Sequence, residues 1–262
     1  MTGKIDITKI SIEARRIPDG FKNTKILHIS DLHNARFGNG QKVIIETVRG
    51  LNPDYIFITG DLIDRKYRKI RNAIDLIKGI KTIAPIYYVT GNHEWESKET
   101  GRVLWENLHE SGVNILHDQI VNLKRNGQSI QLMGIDDPYC LNQKKNAVYD
   151  RASSEFFLIR LRELLKKKKK GCLFLLSHRP EFIHFYAKAG IDVVFSGHAH
   201  GGQIRVPGIG GVLAPHQGFF PKYAEGMVKE NNTLMIISRG LGNSTFPIRI
   251  NNHPELILAT LE

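Results

Sequence analysis

The amino-acid sequence predicts an α/β fold on two observations. Short apolar runs alternate with longer amphipathic segments, and polar residues able to carry chemistry follow the apolar runs. Strands that alternate with helices are typical of α/β proteins with buried central strands. The chain has 262 residues and no stretch rich in Pro, Gly and Ser that would separate domains. Because α/β domains run to about 250 residues, we expect a single domain over residues 1–262.

The predicted elements follow one another in a regular order. Strands are expected at 25–30, 55–59, 86–90, 172–176 and 191–195, and helices at 41–50, 70–80, 99–111, 156–165 and 181–189. Three further segments do not alternate with helices, and we expect antiparallel or edge strands at 5–12, 114–135 and 234–261. This pattern fits two packed mixed sheets with helices outside, and it fits one wide sheet as well.

The charge balance indicates an anionic partner. Lys and Arg total 37 and Asp and Glu total 26, which gives a formal net charge of +11. Such a surplus attracts nucleic acid, anionic lipid head groups or a phosphorylated substrate, and a basic surface without a specific partner is the alternative. No motif supports nucleic acid, because basic and aromatic residues do not interleave as they do where bases stack. Nothing in the sequence indicates an obligate protein partner.

The sequence favours a cytoplasmic location. Peripheral association with an anionic membrane is compatible with that location. No apolar run approaches the ~20 residues that span a bilayer. The first residues lack the basic head and apolar stretch of a signal peptide, and export stays open if a longer natural chain was processed. The two cysteines, Cys140 and Cys172, cannot form a disulfide framework, which favours a reducing compartment.

Clusters of Asp, His or Asn beside Gly or Ser follow five of the predicted buried strands. They occupy positions 30–33, 60–64, 91–94, 177–180 and 196–203. In α/β sheets, ligands bind outside the carboxyl ends of the strands. We therefore expect the five loops to converge on one crevice.

The crevice would contain seven candidate metal ligands, all with oxygen or imidazole donors. They are Asp31, His33, Asp61, Asn92, His178, His198 and His200. Such donors suit Mn, Fe, Zn, Co or Ni. In the pairs Asp31-x-His33 and His198-x-His200, a spacing of two on extended backbone would point both side chains the same way. Seven ligands are too many for one tetrahedral zinc, but they fit two ions about 3.5–4 Å apart, which can clamp the oxygens of a phosphoryl transfer.

In order and approximate spacing, the five clusters resemble the signature blocks of the calcineurin-like metallophosphoesterases. The resemblance runs from residue 30 to residue 203. It implies a four-layer α/β/β/α sandwich of two mixed sheets flanked by helices, with a dinuclear metal site at the C-terminal strand ends. It further implies one ion held by Asp31, His33, Asp61 and His200, and another held by Asp61, Asn92, His178 and His198. Asp61 would bridge the two ions.

The same resemblance implies the catalytic groups. A hydroxide bridging the two ions would attack phosphorus, and His93 would be the non-ligand catalytic histidine, which stabilises developing charge or protonates the leaving alkoxide. Asp64 would orient His93, with Asp31 as the alternative. Three arginines, Arg179, Arg36 and Arg239, are candidate phosphate binders because guanidinium forks match phosphate oxygens, and a solvated surface position is the alternative for each.

A narrower resemblance concerns substrate. Segments 197–204, 238–242 and 247–249 are similar to a bacterial phosphodiesterase branch that includes proteins like UDP-2,3-diacylglucosamine pyrophosphatase. This implies hydrolysis of a phosphodiester or pyrophosphate bond in a phosphoglycolipid or a nucleotide. The alternatives are a nuclease, a protein phosphatase of the same superfamily, and a module that binds anionic lipid or nucleic acid without catalysis. Lys66 stands where a protein phosphatase would have glycine, and every ligand position is filled, so we expect a phosphodiesterase or pyrophosphatase.

Overall fold

Sixteen strands and six α-helices occur in the part of the chain that the structure, a computed structural model, describes. Those residues are 4–67, 69–141, 151–206, 208, 210–243 and 248–262. Position 247 of the narrower resemblance lies outside them. The strands are β1 Asp6–Ile12, β2 Lys25–Ile29, β3 Tyr55–Ile58, β4 Ile86–Tyr88, β5 Asn114–Ile115, β6 Gln119–Arg125, β7 Gln128–Gly134, β8 Leu173–Leu176, β9 Val193–Ser196, β10 Arg205–Val206, β11 Gly210–Gly211, β12 Leu213–Ala214, β13 Gly218–Phe219, β14 Gly226–Glu230, β15 Thr233–Ile237 and β16 Glu255–Leu261.

Most helices lie between parallel strands, as the alternation of apolar runs and amphipathic segments predicts. The helices are α1 Lys42–Leu51, α2 Arg71–Ile80, α3 Asn92–Glu96, α4 Glu99–Glu110, α5 Arg151–Leu165 and α6 Ile183–Lys188. Single 3-10 turns occur at Asp19–Phe21, Asn39–Gln41, Pro138–Leu141, Pro180–Phe182 and His200–Gly202. Within the described ranges, we find no helix with both the length and the apolar character needed to cross a bilayer.

Two six-stranded mixed sheets form the centre of the fold. The first has the order β1-β16-β2-β3-β4-β5, in which β2 to β5 are parallel and β16 runs antiparallel to β2. The second has the order β14-β15-β9-β8-β7-β6, with a parallel core from β15 to β7 and an antiparallel strand at each edge. The twelve central strands therefore form two sheets, and the alternative of one wide sheet is wrong.

Three apolar layers hold these sheets and helices together. Between the sheets, side chains from both meet in one buried cluster, including Phe57 from β3 and Phe174 and Phe195 from the second sheet. Outside the first sheet, helices α1, α2 and α4 bury residues such as Ile44 and Leu104 against it. Outside the second sheet, α5 and α6 cover the other face. The expected four-layer α/β/β/α arrangement is confirmed.

Some elements differ from the expectation. Strands β7 and β15 lie inside the second sheet and pair in parallel with β8 and β9, because each follows or precedes a crossover that returns the chain in the same direction. Helix α3 was not predicted. It starts one residue after Gly91, whose backbone N–H donates to the Glu94 carboxylate at 2.8 Å and so begins the helix directly after β4. Segment 204–230 also contains short strands that its glycine-rich sequence did not predict.

Candidate metal centre

The seven predicted ligands lie together at the carboxyl ends of the strands. Three of the loops that supply them follow β2, β3 and β4 of the first sheet, and two follow β8 and β9 of the second. Every one of the seven side chains is buried; in chain order they are Asp31, His33, Asp61, Asn92, His178, His198 and His200. The two packed sheets end at the same place, so five loops far apart in sequence form one crevice.

The donor atoms form two groups. In the first group, the Nε2 atoms of His33 and His200 are 3.1 Å apart, and Asp31 Oδ1 lies 3.7 Å and 3.4 Å from them. In the second group, His178 Nε2 lies 3.1 Å from Asp61 Oδ2 and 3.1 Å from His198 Nδ1. Each group is compact enough for its donors to surround one cation.

Asp61 connects the two groups. Its Oδ2 atom is 3.1 Å from His178 Nε2 in the second group and 3.6 Å from His33 Nε2 in the first. A carboxylate between two sets of donors is in the position that a bridging ligand requires. Bridging by Asp61 stays a prediction, and the geometry is compatible with it.

Asn92 has a donor atom without a partner in the described part of the chain. Its Nδ2 group donates to Glu96 Oε1 at 3.0 Å, whereas its Oδ1 atom is buried and accepts no hydrogen bond there. A buried polar atom without a partner is costly unless a ligand satisfies it. The unpartnered amide oxygen and the converging imidazole and carboxylate donors fit a pair of divalent ions, and the residues leave the metal's identity open.

The electrostatics of the site favour a cation. Burial alone raises the pKa of Asp61, but the charge of His178 and its hydrogen bond to Asp61 oppose burial and help to hold this pKa well below its usual range. Burial lowers the pKa of His178, whereas the charge of Asp61 raises it, and the balance is a pKa of about 10. Asp61 therefore keeps its negative charge at neutral pH, as a metal ligand must.

The backbone that presents these predicted ligands is left-handed, whereas their spacing in the sequence predicts an extended one. Positive φ angles occur at five ligand positions: Asp31 at 52°, His33 at 45°, Asp61 at 52°, His198 at 69° and His200 at 52°. Strands β2 and β9 end before these residues. The histidines and aspartates converge because tight turns aim them inward, and such strained positions persist where the surroundings hold them.

Glycine beside the ligands allows the loops to approach closely. A Cβ atom on Gly91 would lie 2.1 Å from Asp61 Oδ1, and a Cβ atom on Gly197 would lie 2.3 Å from Asp31 Oδ2. Neither contact is possible for a residue with a side chain. These two glycines therefore set the distance between the loop after each strand and the carboxylate that it faces.

His93 lies at the edge of the first group. Its ring centroid is 4.4 Å from that of His33, and its backbone N–H donates to Asp61 Oδ1 at 2.9 Å. His93 Nδ1 accepts a hydrogen bond from Arg65 N at 3.1 Å, and burial lowers the pKa of His93 to about 3. The neutral ring therefore carries its proton on Nε2, where it is available as a donor.

Asp64 lies between two histidines without hydrogen bonding to either. Its Oδ2 atom is 3.9 Å from His93 Nδ1 and 3.8 Å from His33 Nδ1, while Oδ1 accepts from Lys66 N at 2.7 Å. The predicted orienting role of Asp64 would therefore act through charge at this distance. The direct hydrogen bond to His93 Nδ1 comes from the backbone of Arg65.

Arg179 is fully buried behind the second donor group. Asp137 accepts from Arg179 Nε at 2.5 Å and from Nη2 at 3.1 Å. Arg179 Nη1 lies 2.8 Å from His198 Nε2 and 2.8 Å from His216 Nδ1. Arg179 was predicted as a phosphate binder. Its contacts instead place it behind His198, where it lies beside Nε2, the ring nitrogen opposite the donor atom Nδ1.

The other two predicted phosphate binders differ in their surroundings. Arg36 is exposed and donates to Gly38 O and Asn39 Oδ1 in its own loop. Arg239 is buried, with carboxylate oxygens of Glu255 at 3.0 Å, Asp6 at 3.3 Å and Glu225 at 3.6 Å. Three carboxylates already neutralise Arg239, which leaves its guanidinium poorly placed to hold phosphate.

Three residues near the predicted ligands were not predicted from the sequence. The Glu94 carboxylate accepts from Asp61 N at 3.0 Å, from Leu62 N at 2.6 Å and from Gly91 N. Asp137, which directly precedes Pro138 in the sequence, neutralises Arg179. Arg249 Nη2 lies 3.4 Å from His200 Nδ1. Two features of the sequence could have indicated them. Glu94 is a carboxylate inside one of the five clusters, and Arg249 lies in a segment of the narrower resemblance.

Comparison with known proteins identifies the family. The model of the calcineurin-like phosphoesterase family matches residues 24–202. The Bacillus subtilis metallophosphoesterase YkuE is 28% identical over 265 residues, which cover 98% of this chain and 86% of that protein. The Escherichia coli phosphodiesterase YaeI is 26% identical over 241 residues, covering 90% of this chain and 82% of that protein.

A solved structure agrees with the fold. Phosphopantetheinyl hydrolase from Mycobacterium tuberculosis superposes with a TM-score of 0.53 at 13% identity, covering 83% of this chain and 89% of that one. At this identity the likeness concerns the fold alone. The family match spans four of the five ligand clusters completely and most of the fifth. The chain belongs to the calcineurin-like phosphoesterase family, whose members are metal-dependent hydrolases.

Proposed function

We propose that this protein is a dinuclear metal-dependent phosphodiesterase or pyrophosphatase. The observation that carries the proposal is the pair of donor groups that meet at Asp61, with His93 beside them. Two such groups suit a reaction in which both the attacking and the leaving oxygen of a phosphoryl group need stabilisation. A phosphoglycolipid or a nucleotide is the proposed substrate class.

Each residue has a proposed part in the reaction. Asp31, His33 and His200 would hold one ion, and Asn92, His178 and His198 the other, with Asp61 shared. The ions would supply positive charge for the phosphate and acidify a water molecule near neutral pH. His93 would donate its Nε2 proton to the oxygen that gains negative charge as the ester bond breaks. Burial of all these groups strengthens their electrostatic interactions.

The charges around the site favour a diester over a monoester. A phosphomonoester is mostly a dianion at neutral pH, since its second pKa is about 6, and it needs more positive contacts than a monoanionic diester. Two of the three predicted phosphate-binding guanidiniums, on Arg179 and Arg239, are neutralised by carboxylates. The similarity to the Escherichia coli phosphodiesterase YaeI also supports the diester. The +11 formal charge of the chain would attract either substrate to the surface.

The test is a comparison of two aryl substrates. Protein loaded with Mn, Zn, Ni or Co would be assayed against bis(p-nitrophenyl) phosphate and p-nitrophenyl phosphate. We expect the diester to have the higher kcat/KM with at least one metal. A higher kcat/KM for the monoester would reject the diesterase proposal, and no turnover of either would reject hydrolysis of simple esters. Cleavage of single-stranded nucleic acid or of phosphopeptides would favour a nuclease or a protein phosphatase.

A further inference from the structure

The loop at 217–223 exposes two neighbouring phenylalanines. Phe219 is 73% exposed and Phe220 is 65% exposed, and they are the two most exposed large apolar side chains among the residues described. Phe219 ends strand β13, and Phe220 adopts a φ of 53°. In a strand, successive side chains point to opposite faces. The left-handed angle at Phe220 ends this alternation, so both rings face solvent. Adjacent exposed aromatic rings of this kind mark an interaction surface.

The loop is held in place by its own hydrogen bonds. Gln217 Nε2 donates to Tyr223 O at 2.8 Å, and Tyr223 N donates to Gln217 Oε1 at 2.9 Å. These two bonds join the first and last residues of the loop to each other. Phe220 N donates to Val212 O at 2.8 Å, which ties the loop to the residue that precedes β12. The phenylalanines are therefore presented on a folded loop.

The same hairpin reaches the metal centre. Strands β12 and β13 are joined by a turn that contains His216, and His216 Nδ1 lies 2.9 Å from His198 Nε2. The His216 and His198 rings stack with centroids 5.1 Å apart. One end of the hairpin thus touches the second donor group while the other end carries the exposed phenylalanines. A surface that binds the 217–223 loop would lie beside the metal centre.

Further exposed apolar side chains lie on the adjoining backbone. Val206 on β10 is 38% exposed and Ile250 is 46% exposed. Arg205 N donates to Ile250 O, and Val212 N donates to Ile204 O, so these segments and the hairpin are hydrogen bonded to one another. Exposed apolar side chains therefore occur on segments that are hydrogen bonded to the hairpin as well as on the loop itself.

The charges of this region are complementary to an anion. Lys222 follows the phenylalanines within the loop and is exposed. Segment 203–230 contains three cations, Arg205, Lys222 and Lys229, against two acids, Glu225 and Glu230. Glu225 lies 2.5 Å from Arg205 and Glu230 lies 2.8 Å from His184, so both acids face other groups, and Lys222 and Lys229 form no salt bridge with a described residue. Exposed aromatic rings beside two lysines outside salt bridges suit a surface that is apolar below and anionic above, as the face of an anionic bilayer is.

We propose that the 217–223 loop docks the protein on an anionic lipid bilayer, with Phe219 and Phe220 entering the head-group region and Lys222 contacting lipid phosphate. Docking would place the metal centre near the head groups, because His216 of the same hairpin contacts His198, and a phosphoester of a lipid would be the substrate there. This last step depends on the proposed function, whereas binding to a bilayer does not. A test of binding therefore separates failure of this inference from failure of the proposed activity.

The experiment measures sedimentation of the full chain with vesicles. Vesicles of phosphatidylcholine alone are compared with vesicles that also contain phosphatidylglycerol. We expect binding to the mixed vesicles only, a loss on the order of tenfold in affinity for F219S/F220S, and about fivefold for K222Q, since one cation near the surface accounts for about that factor. Matched controls on helices are F156S/I159S on α5, where the residues are 41% and 50% exposed, and K78Q on α2.

Circular dichroism and metal content confirm that each variant is folded. Equal binding of the wild type and F219S/F220S, or no binding of the wild type to mixed vesicles, would overturn the inference. Equal binding to neutral and anionic vesicles would overturn the role of charge. A wild-type dimer that dissociates on F219S/F220S substitution, without vesicle binding, would show that the loop contacts a second copy of the chain.

Discussion

Asp137 and Arg179 form a fully buried ion pair, in which the carboxylate accepts two hydrogen bonds from the guanidinium, at 2.5 Å and 3.1 Å. Substitution of Asp137 by Ala leaves the Arg179 charge buried, with Glu181 3.6 Å from Nη1 as an acid that remains beside it. Breaking a buried pair in this way costs about 3–5 kcal/mol. We expect the free energy of unfolding in urea to fall by about that amount.

A surface pair provides the control for Asp137. Glu163 and Lys166 lie 2.6 Å apart on the end of α5, and both side chains are mostly exposed. Substitution of Glu163 by Ala should change the free energy of unfolding by about 1 kcal/mol or less. If the two substitutions had the same effect, the buried charge of Arg179 would be compensated by something other than Asp137.

The Glu94 carboxylate positions Asp61 through the backbone. It accepts from Asp61 N, Leu62 N and Gly91 N, so it holds the loops after β3 and β4 against each other. Glu94→Gln replaces one acceptor oxygen by an amide that faces backbone donors. We expect metal affinity, measured by competition with a chromogenic chelator, to fall about 10–100-fold, as it does for groups that orient ligands. Glu99→Gln, in an exposed pair with Arg102 on α4, should leave it unchanged.

The sequence predicts the fold and the cluster of candidate ligands, but it does not predict these supporting contacts. Local periodicity indicates the strands, and parallel strands end at a common edge, so Asp31, Asp61 and His198 can be expected to converge before any contact is known. The bond between Arg179 and Asp137 joins residues 42 positions apart across two loops. Nothing local distinguishes Asp137 from an ordinary turn residue before Pro138.

The backbone conformation of the ligands also could not be predicted. A spacing of two residues was interpreted as extended strand, whereas His198 and His200 both have positive φ. Left-handed angles at residues other than glycine depend on tertiary contacts that outweigh local preference. Here the His198 N–H donates to both oxygens of Asp31, at 3.2 Å and 3.0 Å. That bond joins positions 31 and 198, and no local pattern contains it.

His93→Ala tests the proposed proton donor. His93 Nδ1 is occupied by the Arg65 N–H, so its Nε2 proton is the group that can reach a leaving oxygen. General acid catalysis contributes about 10²–10⁴ in rate, and we expect kcat on an aryl diester to fall by this factor. Elemental analysis should find the metal content of the wild type in the variant. His109→Ala, at the end of α4, is the control, and wild-type turnover in His93→Ala would show that another group donates the proton.

Asp61→Asn tests the connection between the two donor groups. Asp61 Oδ2 lies within 3.6 Å of donors in both groups, so loss of its charge should weaken both metal sites together. We expect the wild type to contain close to two ions per chain by elemental analysis, and Asp61→Asn to contain fewer than one. Because bound metal stabilises the folded state, EDTA should lower the melting temperature of the wild type more than that of the variant. Loss of a single ion would mean that Asp61 is not shared. Asp75→Asn on α2 is the control.

His117 predicts a pH-dependent stability outside the metal centre. Partial burial lowers the pKa of His117, but its hydrogen bond and charge interaction with Asp136, at 2.9 Å, outweigh burial and raise it. A raised histidine pKa stabilises the folded state below the ordinary value of about 6.5, and this stabilisation is lost as pH rises through the folded-state pKa. The difference in unfolding free energy between wild type and His117→Gln should therefore shrink with rising pH, as urea titrations would show. In an Asp136→Asn background, this pH dependence should largely disappear. A difference in unfolding free energy between wild type and His117→Gln that grew with pH would contradict a raised pKa of His117.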